Sequence, residues 1–175
     1  MTSLPSQRWQ HLIFAFTICL VIPSLHAKDW PRFRGPNGSG ISDSAVPTEF
    51  GKDSQMKWSL ELPGRGVSSP IVVGNKVLVT CYSGYGMGGD ETGKVEDLQR
   101  HLVCVDRNSG ETLWTVTEPA ALPEDPYSGA GVPAHGYASH TPTSDGERVF
   151  AFFGKSGVFA YDLDGNILDT YSVPR

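Results

Sequence analysis

The sequence lacks a surplus of positive charge. Its 175 residues carry 14 Lys and Arg against 19 Asp and Glu, which gives a formal net charge of -5 and an isoelectric point near 5.4. Surfaces that bind nucleic acid depend on clustered Lys and Arg to neutralise phosphates. The composition therefore excludes nucleic acid as the expected partner.

The sequence also lacks any extended helical pattern. Twenty glycines and 13 prolines are spread along the chain, and both residue types interrupt helices and favour turns. Apolar residues make up 39% of the chain and charged ones only 19%, a balance typical of a folded domain and not of a disordered tail. We predict an all-β chain of many short strands joined by turns.

The longest apolar run lies at the amino terminus and is short for a membrane span. It begins at Leu12 and is interrupted by Pro23, so it does not reach the roughly 20 apolar residues that a span needs. Arg8 precedes the run and the small residue Ala27 follows it, as in a cleaved secretory signal. Residues 1–27 are therefore predicted to be a signal peptide, and the mature chain is predicted to be exported, periplasmic or extracellular, without a stable membrane span. An uncleaved single-span anchor is the alternative.

Beyond the signal, the sequence contains two copies of one β-rich unit. In the first copy the β-branched runs Ile71–Val73 and Val77–Val79 flank a turn at Gly74-Asn75 and predict a hairpin. Repeated sheet-forming units are typical of arrays in which each unit packs only against its neighbours. The copies align Pro70 with Pro142, Gly74 with Gly146, Val77 with Val149, Asp106 with Asp162 and Gly110 with Gly165.

Two long connections interrupt these units. Residues 82–100 are polar and Gly-rich, and they predict a solvent-exposed loop with at most a short helical turn near Val95–Gln99. Residues 117–138 are rich in Pro, Gly and Ala and predict a second connection.

Two further segments precede the first copy. Residues 28–56 predict an extended segment that contains an ordered loop around Trp30. Residues 57–63 alternate in polarity, with Trp58 on one face, and predict a short strand. We place the start of the β domain, residues 57–175, at this strand.

The best defined motif runs from Asp106 to Trp114. Asp106, Ser109 and Gly110 provide turn chemistry, and the strand that follows places Trp114 on one face. The spacing Asp-x-x-Ser-Gly-x-x-x-Trp resembles the tryptophan-docking motif of PQQ-like β-propellers, the family that includes PQQ dehydrogenases and BamB-like assembly scaffolds. Residues 29–42 are similar to the opening of secreted propeller proteins from planctomycete bacteria.

The resemblance implies a particular fold for residues 57–175. It implies four-stranded antiparallel blades, with the turn glycine allowing the chain to reverse and the indole of Trp114 buried between neighbouring blades. About two blades are present, whereas closure of a propeller takes about four to eight. The sequence therefore predicts an incomplete propeller, the amino-terminal fragment of a longer protein.

Cys81 and Cys104 are the only cysteines outside the predicted signal. The repeat aligns them with Phe153 and Ala160, and a two-residue turn in the second copy would place these two positions directly opposite each other on neighbouring strands. Opposed residues lie within disulfide reach, and export would permit the bond. Two buried free thiols are the alternative.

Motifs that suggest catalysis or metal binding are incomplete. Gly84, Gly86 and Gly89 have the spacing of a dinucleotide-binding loop, but no crossover helix follows them. The three histidines beyond the signal have no evident third ligand and are predicted to be solvated or bonded to turns; they are His101, His135 and His140. We expect no catalytic residue, no metal and no cofactor.

The function predicted from these features is that of a non-catalytic, exported module for binding or scaffolding, as the resemblance to BamB-like propellers implies. Its expected partner is a protein or another surface ligand, contacted through the loops. The alternative implied by the same family is the amino-terminal part of an exported PQQ-dependent oxidoreductase. The vicinal cysteine pair that holds the quinone in those enzymes is not visible in this sequence.

Overall fold

Two antiparallel sheets make up the computed structural model, which describes residues 28–45, 47–49, 51, 54–88 and 92–172. Each sheet is a four-stranded meander in which consecutive strands are neighbours. The all-β prediction is confirmed, whereas the predicted signal peptide, residues 1–27, lies outside the described residues. The first sheet consists of β1 (Ile71–Val73), β2 (Lys76–Ser83), β3 (Gln99–Asp106) and β4 (Thr112–Pro119), and the second of β5 (Thr143–Ser144), β6 (Arg148–Phe152), β7 (Val158–Asp162) and β8 (Ile167–Tyr171).

Helical structure in the described part of the chain is limited to short turns. They are the 3-10 turns Val95–Asp97 and Gly154–Ser156 and the five-residue helix α1 (Gly131–His135). The first of them confirms the helical turn predicted near Val95–Gln99. No helix among the described residues is long and apolar enough to cross a membrane.

The two copies of the unit fold alike. The turn at Gly74 joins β1 to β2, with Val73 opposite Lys76, as predicted. The pairing of β3 with β4 shifts between Cys104 and Val105, and that of β7 with β8 shifts at the corresponding place, between Ala160 and Tyr161. The repeat therefore extends to the position of a β-bulge, which increases the local twist of each sheet.

The main core lies between the two sheets. Apolar side chains from one face of each sheet are buried together, and burial of this kind is the dominant stabilising contribution to a fold. Residues from the first sheet are Ile71, Val73, Leu78, Leu102 and Cys104, and those from the second are Val149, Ala151, Phe153, Phe159 and Tyr161.

Residues 58–62 cover the opposite face of the first sheet. Trp58, Leu60 and Leu62 pack against a cluster that includes Cys81 and Val103. The strand predicted at residues 57–63 is wrong, because no strand is present there. The segment lies across a sheet face and not along a sheet edge, so its backbone cannot join the hydrogen-bond ladder.

The segment around Trp30 ties the two sheets together. Its backbone exchanges two hydrogen bonds with Val72 of β1, at 2.9 and 3.0 Å, and Pro31 accepts a hydrogen bond from the Ser144 amide of β5 at 2.8 Å. Asp29 Oδ1 accepts a hydrogen bond from the Gly74 amide at 2.9 Å. The ordered loop predicted here is confirmed, and it contacts the first strand of both sheets.

The predicted adjacency of Cys81 and Cys104 is wrong. Cys81 is opposite His101, and Cys104 is opposite Leu78, so the cysteines are offset by three residues along the ladder. Since side chains alternate between faces along a strand, the two thiols lie on opposite faces of the sheet. Both are buried and free, which is the alternative that the sequence left open.

The cause of this error is the turn in the second copy. A two-residue turn would place Phe153 opposite Ala160, but Gly154–Ser156 form a 3-10 turn and Phe150 is opposite Ala160 instead. The same three-residue shift separates the predicted and observed partners of Cys104.

Candidate functional site

A tryptophan that lies before the first sheet docks onto that sheet. The Trp58 indole donates a hydrogen bond from Nε1 to the Arg107 carbonyl at 2.9 Å, and its ring covers Gly110. A Cβ at Gly110 would lie 2.5 Å from the Trp58 ring, and the residue has a φ of +79°. Only glycine satisfies both the close contact and the left-handed backbone without strain.

Trp114 makes the same contact one unit further along the chain. Its Nε1 donates to the Leu163 carbonyl at 3.1 Å, and a Cβ at Gly165 would lie 2.8 Å from its ring. Both indoles reach a carbonyl 49 residues downstream. Trp114 is half-buried and packs against the inter-sheet core, so the prediction of a buried indole holds in part.

The structure therefore divides the predicted docking motif between two contacts. Asp106, Ser109 and Gly110 lie together in the β3–β4 turn, where Gly110 receives Trp58. Trp114 lies on β4 and contacts the next sheet instead. Each tryptophan docks onto the turn of the unit that follows it.

Asp106 holds this turn in place. Its Oδ1 accepts hydrogen bonds from the amides of Asn108 and Ser109 at 2.8 and 2.9 Å. These backbone hydrogen bonds hold the pKa of the Asp106 carboxyl below its usual range. Asp162 accepts hydrogen bonds from two amides of its own turn in the same way, at 2.9 and 2.8 Å. Both aspartates act as turn caps, as predicted.

The two long connections pack against each other at one end of the first sheet. Four tyrosine rings lie with centroid separations of 5.5 to 6.4 Å, and Leu98 is fully buried beside them. We call this cluster the aromatic cap. Its members are Tyr82, Tyr85, Leu98, Tyr127 and Tyr137.

The prediction of a solvent-exposed loop at residues 82–100 is wrong for the residues that form the cap. Tyr85 is 9% exposed and its hydroxyl accepts a hydrogen bond from the Tyr127 amide at 3.0 Å. The Tyr82 hydroxyl donates to the Gly86 carbonyl at 2.9 Å. Buried aromatic surface and hydrogen bonds to main-chain atoms give this connection a defined shape.

A buried ion pair connects the aromatic cap to both sheets. Arg100 of β3 lies 2.8 Å from Glu124, and each side chain is only 2% exposed. Arg100 also donates to the Tyr137 carbonyl and to Ser156 Oγ, each at 3.0 Å. Because Ser156 belongs to the β6–β7 turn, this one guanidinium contacts the first sheet, the second connection and the second sheet.

Two more polar contacts join the sheets near this point. Lys155 Nζ lies 2.7 Å from Asp125, and the Tyr161 hydroxyl donates to Glu118 at 2.9 Å. The part-buried Tyr161–Glu118 contact joins β7 directly to β4. The exposed Lys155–Asp125 pair contributes less, since exposed ion pairs contribute little.

Two cavities adjoin the aromatic cap. One of about 380 Å³ lies between residues 64–67, Tyr82, Tyr127 and helix α1. The other, of about 300 Å³, lies between the cap and the second sheet and is lined by Tyr137, His140, Phe152 and Lys155 among others. Ligand sites in proteins are commonly concave and of about 300 to 1,000 Å³, and both cavities lie at the lower end of that range.

The predicted surroundings are correct for two of the three histidines and wrong for the third. His135 and His140 are exposed, in agreement with the prediction, but His101 is 5% exposed and bonded across three strands. Its ring nitrogens contact Ser83 Oγ at 2.8 Å and Thr117 Oγ1 at 2.9 Å. Burial lowers the pKa of His101, which favours the neutral ring.

The described residues hold no group of three or more His, Cys, Asp and Glu side chains that could bind a metal ion. A comparison with protein-family models finds no match, and a comparison with curated proteins finds none either. The candidate site is thus defined by its geometry, namely the aromatic cap and the cavities beside it.

The sequence did not single out the residues that build this site. Arg100 lies on β3 and Glu124 in the second connection, and no local spacing links them. The tyrosines offered the one available signal, because Tyr82, Tyr85, Tyr127 and Tyr137 all fall within the two long connections.

Proposed function

We propose that this protein is an exported, PQQ-like β-propeller segment that acts as a non-catalytic binding or scaffolding module. The propeller assignment is supported by the sequence motif together with the two equivalent tryptophan contacts. In both, an indole covers a turn glycine of the unit that follows it in the chain. This contact repeats with the unit, as packing in an array of units requires.

The observation that carries the binding function is the aromatic cap. Ordering a residue costs about 1 to 2 kcal/mol of backbone entropy, and a hairpin loop needs only about 2 to 5 residues. The connection between β2 and β3 is much longer than this minimum, yet it is held, together with the second connection, by buried tyrosines and by Arg100. Ordered loops on a rigid scaffold are where binding function concentrates, so we assign partner contact to this end of the sheets.

Site-specific photocrosslinking tests the assignment. A photoreactive amino acid replaces exposed Ser128, beside the cap, or exposed Asp164, in the β7–β8 turn at the other end of the sheets. Each full-length variant is expressed in the source cells and irradiated. We expect adducts to one envelope or secreted component from position 128 and none from position 164. Equal labelling from both positions, or none from position 128, would contradict the assignment.

Two further measurements test the remaining parts of the proposal. Amino-terminal sequencing of protein from the exported fraction should find the chain starting at Lys28; protein that keeps residues 1–27 would contradict export with cleavage. Addition of PQQ and calcium to the purified full-length protein should give no reduction of an electron-acceptor dye with alcohols or sugars. Turnover in that assay would replace the scaffolding function with the oxidoreductase alternative.

A further inference from the structure

The cavity of about 380 Å³ beside the aromatic cap has a basic and apolar lining. Arg65 and His135 contribute the basic groups, and no acidic residue of the described chain lines it. The remaining walls are aromatic, apolar or glycine, and include Leu62, Val67, Tyr82, Tyr127 and Pro133. A basic cavity is unusual on a chain with a formal net charge of -5, and it favours an anionic ligand.

Arg65 is held in position at this cavity by its main chain and by a glycine. Its amide donates to the Tyr82 carbonyl at 2.9 Å, and its carbonyl accepts from the Tyr82 amide at 2.7 Å. Its guanidinium lies so close to Gly88 that a Cβ there would clash with Nη1. The absence of a side chain at Gly88 therefore leaves room for the Arg65 guanidinium.

No protein carboxylate neutralises Arg65 in the described part of the chain. Arg100 and Arg148 each form an ion pair, at 2.8 and 2.7 Å, whereas no Asp or Glu of these residues lies within 4.0 Å of the Arg65 side-chain nitrogens. A guanidinium presents its N–H groups in a planar fork that matches a carboxylate. Arg65 also lines the cavity, so its guanidinium is placed to contact a group bound there.

The other walls indicate what the anion carries. Leu62, Val67 and Pro133 provide apolar contact, and the two tyrosine rings provide flat surfaces that pack well against a ring or a short aliphatic chain. An inorganic anion would leave these walls unused. The volume suits a ligand at the small end of the range for protein sites.

We propose that this cavity binds a small organic carboxylate, with Arg65 contacting the carboxylate and the Tyr82, Tyr127 and Pro133 walls contacting its organic body. The inference rests on the binding function proposed above and names a ligand class for the same end of the molecule. An aromatic acid and a sugar acid share the required chemistry, and the experiment separates them.

Isothermal calorimetry on the full chain tests the proposal with benzoate and glucuronate as probes, each beside a neutral counterpart, benzyl alcohol or glucose. We expect at least one acid to bind with a dissociation constant below about 1 mM and its counterpart to bind at least about tenfold more weakly. The acid that binds identifies the organic body that the walls accept.

Arg65→Gln should weaken binding of that acid at least about tenfold, the loss expected for a charge-assisted hydrogen bond. Arg148→Gln is the matched control, since it removes an exposed arginine from the second sheet, and binding should be unchanged. Far-UV circular dichroism melting checks that Arg65→Gln is folded, as expected for an exposed side chain.

Three outcomes would overturn the proposal: neither acid binding at about 10 mM, acids and neutral counterparts binding equally, or Arg65→Gln binding like the unchanged protein. Each leaves the photocrosslinking result at position 128 unaffected. Failure of the carboxylate site is therefore distinguishable from failure of the scaffolding function.

Discussion

Trp114→Ala should destabilise the protein by about 2 to 4 kcal/mol. A tryptophan buries about 150 to 250 Å² when it is enclosed, and Trp114 is half-buried, so about 100 Å² at 25 cal/mol per Å² contributes about 2.5 kcal/mol. The Nε1 hydrogen bond to Leu163 adds about 1 kcal/mol. This range extends below the roughly 3 to 5 kcal/mol expected for a fully buried aromatic, because one side of the indole is exposed to solvent.

Urea unfolding followed by far-UV circular dichroism measures this loss without relying on the fluorescence that the substitution removes. Trp114→Phe keeps an aromatic ring and should cost only about 1 kcal/mol, mainly the lost hydrogen bond. Leu113→Ala is the matched control, because Leu113 precedes Trp114 in sequence and is 46% exposed. This substitution should change the free energy of unfolding by no more than about 0.5 kcal/mol. If Trp114→Ala costs no more than Leu113→Ala, the docking contact does not stabilise the fold and the reasoning is refuted.

Three further outcomes follow from buried groups. Burial lowers the pKa of His101, so the imidazole binds a proton more readily in the unfolded chain than in the folded protein. The free energy of unfolding should therefore fall as the pH drops from about 6.5. Urea midpoints at pH 7.5 and 5 should differ less for His101→Gln than for the unchanged protein. Burial raises the pKa of the Cys81 thiol and raises that of Cys104 to about 11. Iodoacetamide at pH 8 should therefore leave both cysteines unmodified in the folded protein and alkylate both after unfolding without reductant. A disulfide would prevent alkylation of the unfolded chain. Glu124→Ala should cost about 3 to 5 kcal/mol, because it leaves the Arg100 guanidinium buried without its partner, and a urea midpoint equal to that of the unchanged protein would contradict this.

Features that depend on neighbours in sequence could be predicted well. The turn at Gly74 and the Asp106 cap depend on residues within a few positions of each other, and the structure confirms both. The alignment of Gly110 with Gly165 is also explained, since each glycine has a positive φ and lies beneath an indole.

Features that depend on register or on distant residues could not be predicted. One 3-10 turn at Gly154–Ser156 shifts the strand pairing by three residues, and an odd shift moves a side chain to the other face. The first sheet has the corresponding register, with Cys104 opposite Leu78, so Cys81 and Cys104 lie on opposite faces of it. The Arg100–Glu124 ion pair could not be predicted for a different reason. The two residues are 24 positions apart in sequence, and only the packing of the aromatic cap brings them together.

The second copy departs from the first at the position that would continue the docking contact. Trp114 is opposite Cys104 on β3, and the residue opposite the equivalent Ala160 on β7 is Asp169. A carboxylate cannot cover a turn glycine as an indole does, and the apolar residues nearby on β8, Ile167 and Leu168, are more than half exposed. Both tryptophan contacts run in one direction along the chain, because each indole docks onto the turn of the unit that follows it. The second sheet therefore receives this contact from the first, but at Asp169 it does not repeat the indole that the first sheet presents at Trp114.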